Sequence, residues 1–173
     1  VVLSHRRLSI LDLSKAGHQP MISPSGRFVI AFNGEIYNHN DLRSKLKNKV
    51  DWSGGSDTET LLALIESDGV ALACEQIVGM FAFALWDGKE KSLYLVRDRV
   101  GEKPLYYGWQ KDVFLFGSEL KALKANPIFD GEIDRGSIAL QLRHNCIPAP
   151  YSIYKGIQKL LPGTFLKLSV DNL

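Results

Sequence analysis

The chain has 173 residues, 45% hydrophobic and 23% charged, and 21 basic against 19 acidic side chains leave a formal net charge of +2. This balance suits one globular domain with a real core and excludes a disordered chain. The charges are interspersed, which leaves no basic footprint for nucleic acid, and no apolar run approaches the ~20 residues that a membrane-spanning helix needs. Cys74 and Cys146 are too few for a disulfide framework, so a reducing, cytoplasmic setting is expected. His5, His18, His39 and His144 lack metal-ligand spacing, and no metal site is predicted. No signal peptide precedes the first strand-like segment. The sequence opens on Val1, and Val1-Val2-Leu3 reads as buried strand, as if the chain began inside a fold.

In chain order, residues 1–13 read as strand, and a polar stretch with Gly17 and Pro20 turns the chain. Arg27 to Phe32 is predicted as a strand that ends at Asn33-Gly34. Asn38 to Lys47 is a short helix with Leu42 and Leu46 one turn apart. Ser56-Asp57-Thr58-Glu59 fits a capping box for a helix that stops at Gly69, and Ala71 to Ile77 forms another helix. Met80 to Trp86, the hairpin signal Asp87-Gly88 and Ser92 to Val96 form a strand pair. Leu105 to Tyr107 and Val113 to Phe116 form the next pair. Ser118 is expected to cap a helix through Lys124, and Asp134 starts one that reaches His144. The loop-rich remainder, with Pro148, Pro150 and Pro162, ends in a strand at TFLKL. Hairpin-joined strands with segregated helices argue for the α+β class.

Four segments stand out: RRLSI from Arg6, FNGEIYN from Phe32, GSDTE from Gly55 and RDRVGEKPLYY from Arg97. Asn33-Gly34 behind a strand could place a backbone N–H and a side-chain amide at one point, the hardware of an oxyanion hole. Taken alone, a plain β-turn is the commoner reading of Asn-Gly. Arg7 could grip a carboxylate bidentately, although a surface arginine or a structural ion pair is favoured for it alone. Asp57 reads either as compensation of the helix dipole or as an anion for a substrate ammonium. One cation, Arg7, and two anions, Glu35 and Asp57, match the charges of a free α-amino acid.

SHRRLSILDLS, FNGEIYNH, GGSDTETLLALIE, VGMFAFALWD, VRDRVGEKPLYYG and FGSELKAL, in this order, resemble the glutaminase half of the asparagine synthetases. The wider class is the class II glutamine amidotransferases. The resemblance implies an N-terminal-nucleophile hydrolase fold, with two antiparallel sheets between helical layers. It implies that Arg7 holds the glutamine carboxylate and that Leu8, Ser9, Ile10 and Leu11 line the pocket. Asn33 and Gly34 form the oxyanion hole, and Glu35 and Asp57 bind the ammonium. The family nucleophile is an N-terminal cysteine whose own α-amine, with a pKa of about 7.7–8.0, serves as base. Neither that cysteine nor the few dozen residues that precede the RLSI strand in the family are in this sequence, so the chain alone is expected to be inactive. Residues 1–130 are expected to be the amidotransferase domain. Residues 131–173 are expected to close it and to lead into an ATP-dependent synthetase domain that uses ATP, Mg and aspartate. A homodimer is one expected assembly.

Cys74 lies in an apolar helical stretch with no histidine near it, which argues against a substitute nucleophile, and Cys146 is no better placed. Ser53-Gly54-Gly55-Ser56-Asp57 imitates the pyrophosphate loop of synthetase domains, but Lys49 to Trp52 is a poor buried strand, so the likeness reads as a decoy. Two alternatives to asparagine synthesis are an amidotransferase for another acid, such as a sugar acid, and a non-catalytic homologue.

Overall fold

The computed structural model describes residues 1–6, 12, 14–46 and 50–170. In chain order the strands are β1 (Met21–Ile22), β2 (Phe28–Ile36), β3 (Gly79–Asp87), β4 (Ser92–Arg97), β5 (Tyr106–Gln110), β6 (Val113–Gly117), β7 (Ile157–Lys159) and β8 (Phe165–Ser169). The helices are α1 (His39–Lys45), α2 (Asp57–Asp68), α3 (Val70–Gln76), α4 (Leu120–Lys124) and α5 (Arg135–His144). The α+β class stands, with a five-stranded sheet in the order β1-β2-β3-β4-β8 and a three-stranded sheet in the order β6-β5-β7. Two compact units result, Val1–Leu95 with Lys167–Leu173, and Val96–Leu166. The expected division at residue 130 falls inside the second unit.

In the first unit, β2 and β3 pair antiparallel in unbroken register from Phe28↔Asp87 to Ile36↔Gly79. Alternation puts Phe28, Ile30, Phe32 and Ile36 on one buried face. Phe32, Phe81 and Phe83 meet there with ring centroids 6.0–6.4 Å apart. The side chain of Ser56 accepts from Glu59 N–H at 3.2 Å and starts α2, and Gly69, at φ 83°, ends it. α2 packs on β2 and buries Leu61, Leu62, Ala63, Leu64 and Ile65, so it is a core helix. β8 runs antiparallel to β4, since Val170 N–H bonds Lys91 O while Arg97 N–H bonds Thr164 O.

In the second unit, Asp98 is 1% exposed and stitches a loop to itself. Its carboxylate accepts from the N–H groups of Val100, Glu102 and Lys103 at 2.9–3.1 Å. Arg97 donates to the carbonyls of Lys103, Leu160 and Gly101 at 2.6–2.8 Å. The conspicuous RDRVGEKP run is therefore a loop brace.

Several sequence expectations needed correction. Val1 and Val2 are 69% and 87% exposed, and residues 1–6 form no strand, because no strand pairs with them among the described residues. β2 does not stop at Asn33-Gly34. It runs to Ile36 because β3 continues opposite it. The Asp87-Gly88 hairpin, by contrast, forms as expected, through a four-residue loop in which Asp87 accepts from the Lys89 and Glu90 N–H groups. Glu119, not Ser118, holds the cap position of α4. β1 and β7 were too short to be seen as periodic patterns.

Asp87 is 2% exposed and also receives Arg27, through Nε at 3.0 Å and Nη2 at 2.6 Å. Burial opposes its ionisation, yet the Arg27 hydrogen bond, the Glu90 and Lys89 N–H groups and the Arg27 charge together hold its pKa below the ordinary 3.8. A depressed carboxylate stabilises the fold fully above its unfolded pKa and loses that contribution as pH falls through the folded value. Arg27→Ala should cost about 1.5 kcal/mol at neutral pH, the low end for a charged hydrogen bond because the guanidinium is 36% exposed. In urea titrations the difference between variant and parent should shrink below about pH 4. A difference equal at pH 7 and at about pH 2 would show that the ion pair is not its source.

Candidate functional site

Of the candidate residues, Asn33, Gly34 and Glu35 lie on β2, and Asp57 bonds the outer edge of that strand. Tyr37 N–H bonds Val78 O and Gly88 N–H bonds Arg27 O, so the odd-numbered residues of the strand exchange their bonds with β3. Even-numbered N–H groups point the other way. Ile30 faces β1, where it pairs with Met21. β1 extends no further along this edge, and side chains take over. Gln19 Oε1 accepts from Phe32 N–H at 2.6 Å, and Asp57 Oδ2 accepts from Ile36 N–H at 2.9 Å. Gly34 N–H lies between these two and has no acceptor among the described residues.

Gly34 has φ 154°, which side chains rarely adopt, and a Cβ there would meet Met80 O, with Phe81 Cα at 2.6 Å. Only glycine lets the two strands approach this closely. Asn33 and Glu35 flank it, paired with Ala82 and Met80, on the face opposite Phe32 and Ile36. An outward N–H beside a side-chain amide is a two-donor set for a developing oxyanion. No donor bonds the Glu35 carboxylate among the described residues, which leaves it open to a cation.

Asp57 is 5% exposed in the first turn of α2. Its carboxylate sits at the helix N-terminus, as the dipole reading expects, and it also ties that helix to β2 through Ile36. Among the described residues its second oxygen has only a 3.4 Å contact with the Thr58 hydroxyl, which leaves accepting capacity there.

Arg7, Leu8, Ser9, Ile10 and Leu11 lie outside the described residues, but Asp12 is placed. Its carboxylate accepts from Gly55 N–H at 2.8 Å and from Ser14 N–H at 3.0 Å. The residue that follows the Arg7–Leu11 run is thus tied to the loop that leads into Asp57. The same loop is braced by Glu59, which accepts from Ser53 N–H at 2.7 Å and Gly54 N–H at 3.1 Å, and pairs with Arg43 at 2.9 Å. Arg43 also bonds Gly54 O and lies 4.0 Å over the Trp52 ring. Glu59 therefore makes only half a capping box. It also follows that Ser53-Gly54-Gly55 cannot cradle phosphate: carboxylates already occupy all three N–H groups, which supports the decoy reading.

Sequence reasoning missed Gln19 and Asp12. Asp12, the one charged residue between Leu11 and Leu13, carried a usable signal. Gln19 was hidden in a stretch read only as a turn.

Solved structures with this fold include a glutamine phosphoribosylpyrophosphate amidotransferase from Bacillus subtilis, at a TM-score of 0.57 and 24% identity over 64% of this chain and 26% of that one. An allosteric regulatory enzyme of purine biosynthesis aligns at a TM-score of 0.64 and 21% identity, covering 88% and 29% of the two chains. The fold is that of the class II, N-terminal-nucleophile amidotransferases. The profile of a family described as the glutamine amidotransferase domain matches residues 1–173, and the chain belongs to that family. Among curated relatives, a putative glutamine-hydrolysing asparagine synthetase 2 of Methanocaldococcus jannaschii is 37% identical over 91% of this chain and 33% of its own length. Glutamine-hydrolysing asparagine synthetase 3 of Bacillus subtilis is 37% identical over 100% and 28%. The asparagine synthetase B of Escherichia coli is 44% identical over 70% and 22%. The chain thus spans a third or less of the length of these relatives.

Gly34→Ala should be the most damaging small substitution at this edge. It forces a backbone that alanine avoids and a contact that β3 cannot relieve, so a loss of about 1–3 kcal/mol or more is expected. Thermal melts check this, and an unchanged Tm would mean that the strand pair relaxes freely.

Proposed function

We infer that these residues hydrolyse the side-chain amide of glutamine within a longer protein that passes the ammonia to aspartate, activated by ATP and Mg in another domain. The observation that carries this reading is the Gly34 N–H left open beside the Asn33 amide, with Asp57 anchored at the next even position of the same edge. The relatives, which are asparagine synthetases, support aspartate as the acceptor.

In this reading Arg7 holds the glutamine α-carboxylate, with Leu8 to Leu11 lining the pocket, and Glu35 and Asp57 hold its ammonium. A cysteine thiolate, expected at a mature N-terminus, adds to the amide carbon, and the carbonyl electrons move to oxygen. Asn33 and Gly34 donate to that oxyanion. The C–N bond then breaks, ammonia leaves with a proton returned by the α-amine, and water releases glutamate from the thioester. Most of the rate enhancement assigned to Asn33 and Gly34 is electrostatic, because their dipoles are fixed by the strand before charge develops.

In the protein that carries this domain, Asn33→Ala should lower the kcat for glutamate release by about 10²–10³ with little change in KM. Arg7→Ala should instead raise KM, by roughly 10- to 100-fold, since a charge-assisted contact contributes about 1.5–3 kcal/mol. An Asn33→Ala enzyme with parental kcat would reduce Asn33 to a strand residue. An unchanged KM in Arg7→Ala would remove the carboxylate assignment.

A further inference from the structure

We propose that Gln19 is a positioning residue for the oxyanion hole, holding the open edge of β2 so that Gly34 N–H projects outward. This rests on the glutamine-hydrolysing reading above. β1 covers the edge of β2 only as far as the pair Met21↔Ile30. Beyond that point Phe32 and Ile36 would leave buried N–H groups unpaired, which costs about 1–3 kcal/mol each, and the edge would twist to find partners. Gln19 prevents this on one side of Gly34 through the 2.6 Å bond from Phe32 N–H, and Asp57 does so on the other through the 2.9 Å bond from Ile36 N–H. Fixing both neighbours fixes the peptide plane between them. The Gly34 N–H then keeps one direction, with no acceptor among the described residues.

Glutamine suits this post for a chemical reason. Its amide oxygen accepts from Phe32, and it carries no charge. A carboxylate there would accept equally well but would oppose a negative charge developing at Gly34. Asp57, which does carry charge, caps the position on the side where the proposed substrate places its ammonium. The two acceptors thus match the two ends of the substrate. Ser23 offers an internal comparison: its Oγ accepts from Phe28 N–H at 3.1 Å on the same edge, three even positions from Gly34.

The test compares Gln19→Met, which keeps size and removes the acceptor, with Ser23→Ala, in the protein that carries this domain. Glutamine turnover is measured beside inhibition by the aldehyde analogue of glutamine, which captures the nucleophile as a hemithioacetal and so uses the oxyanion hole. Gln19→Met should lower kcat about tenfold or more and weaken the aldehyde by a similar factor, with KM within about twofold. Ser23→Ala should change kcat by less than about twofold. Equal losses in both variants, or a loss in Gln19→Met confined to KM or to Tm, would overturn the proposal.

Amide hydrogen exchange on the unmutated protein gives a readout that does not depend on a variant folding. Phe32 should be protected and Gly34 should exchange freely until the aldehyde binds. A Gly34 amide already protected in the free protein would overturn the proposal. If the parent protein turns over no glutamine, the functional reading fails, while the exchange contrast between Phe32 and Gly34 still decides the role of Gln19.

Discussion

A strand edge that borders a ligand site carries a conflict. Every buried N–H must be paired, because each orphan costs about as much as a lost hydrogen bond, yet one donor must stay open for chemistry. β2 meets both demands through the alternation of its N–H groups. Odd positions bond β3, while even positions are taken in turn by β1, by Gln19 and by Asp57, with Gly34 left without an acceptor among the described residues. The close approach of Phe81 and Met80 forces glycine at that position. α2 is tied to this edge through Asp57, and Asp12 ties the segment after Leu11 to the loop that leads into α2.

Carboxylates do much of this stitching. Asp12, Glu59, Asp57, Asp87 and Asp98 each accept at least one backbone N–H, and all five lie in the segments that resemble the asparagine synthetases. An ionised carboxylate can hold two or three N–H groups in a loop that has no ladder of its own. Such loops keep their shape without adding strands. These five acidic residues are therefore fixed by local backbone geometry as much as by any reaction, whereas Glu35 has no donor among the described residues.

Much of the fold was legible because it rests on local rules. The Ser56 cap and the Gly69 stop delimited α2 to the residue, and Asp134 marked the start of α5. The MFAFALW strand and its hairpin partner followed from apolar runs broken by a turn dipeptide. What failed depended on partners distant in sequence. Asn33-Gly34 looked like a turn because that pair usually is one, and only β3, dozens of residues later, keeps it in a strand. Val1-Val2-Leu3 looked buried because apolar residues usually are. The sequence singled out Asn33, Gly34, Glu35 and Asp57 by residue type but not the way their strand edge is held, because Gln19 acts through a backbone bond that leaves no periodic trace. Arg7 to Leu11 stand as the resemblance implied them.

The most direct measurement is a crystal structure of the protein that carries this domain, alkylated by a diazoketone analogue of glutamine. The account predicts the ketone oxygen within about 3 Å of Gly34 N and of the Asn33 side-chain amide, with Gln19 still bound to Phe32 N–H. An analogue whose oxygen points away from the β2 edge, or a Gly34 N–H turned to a protein acceptor, would contradict it.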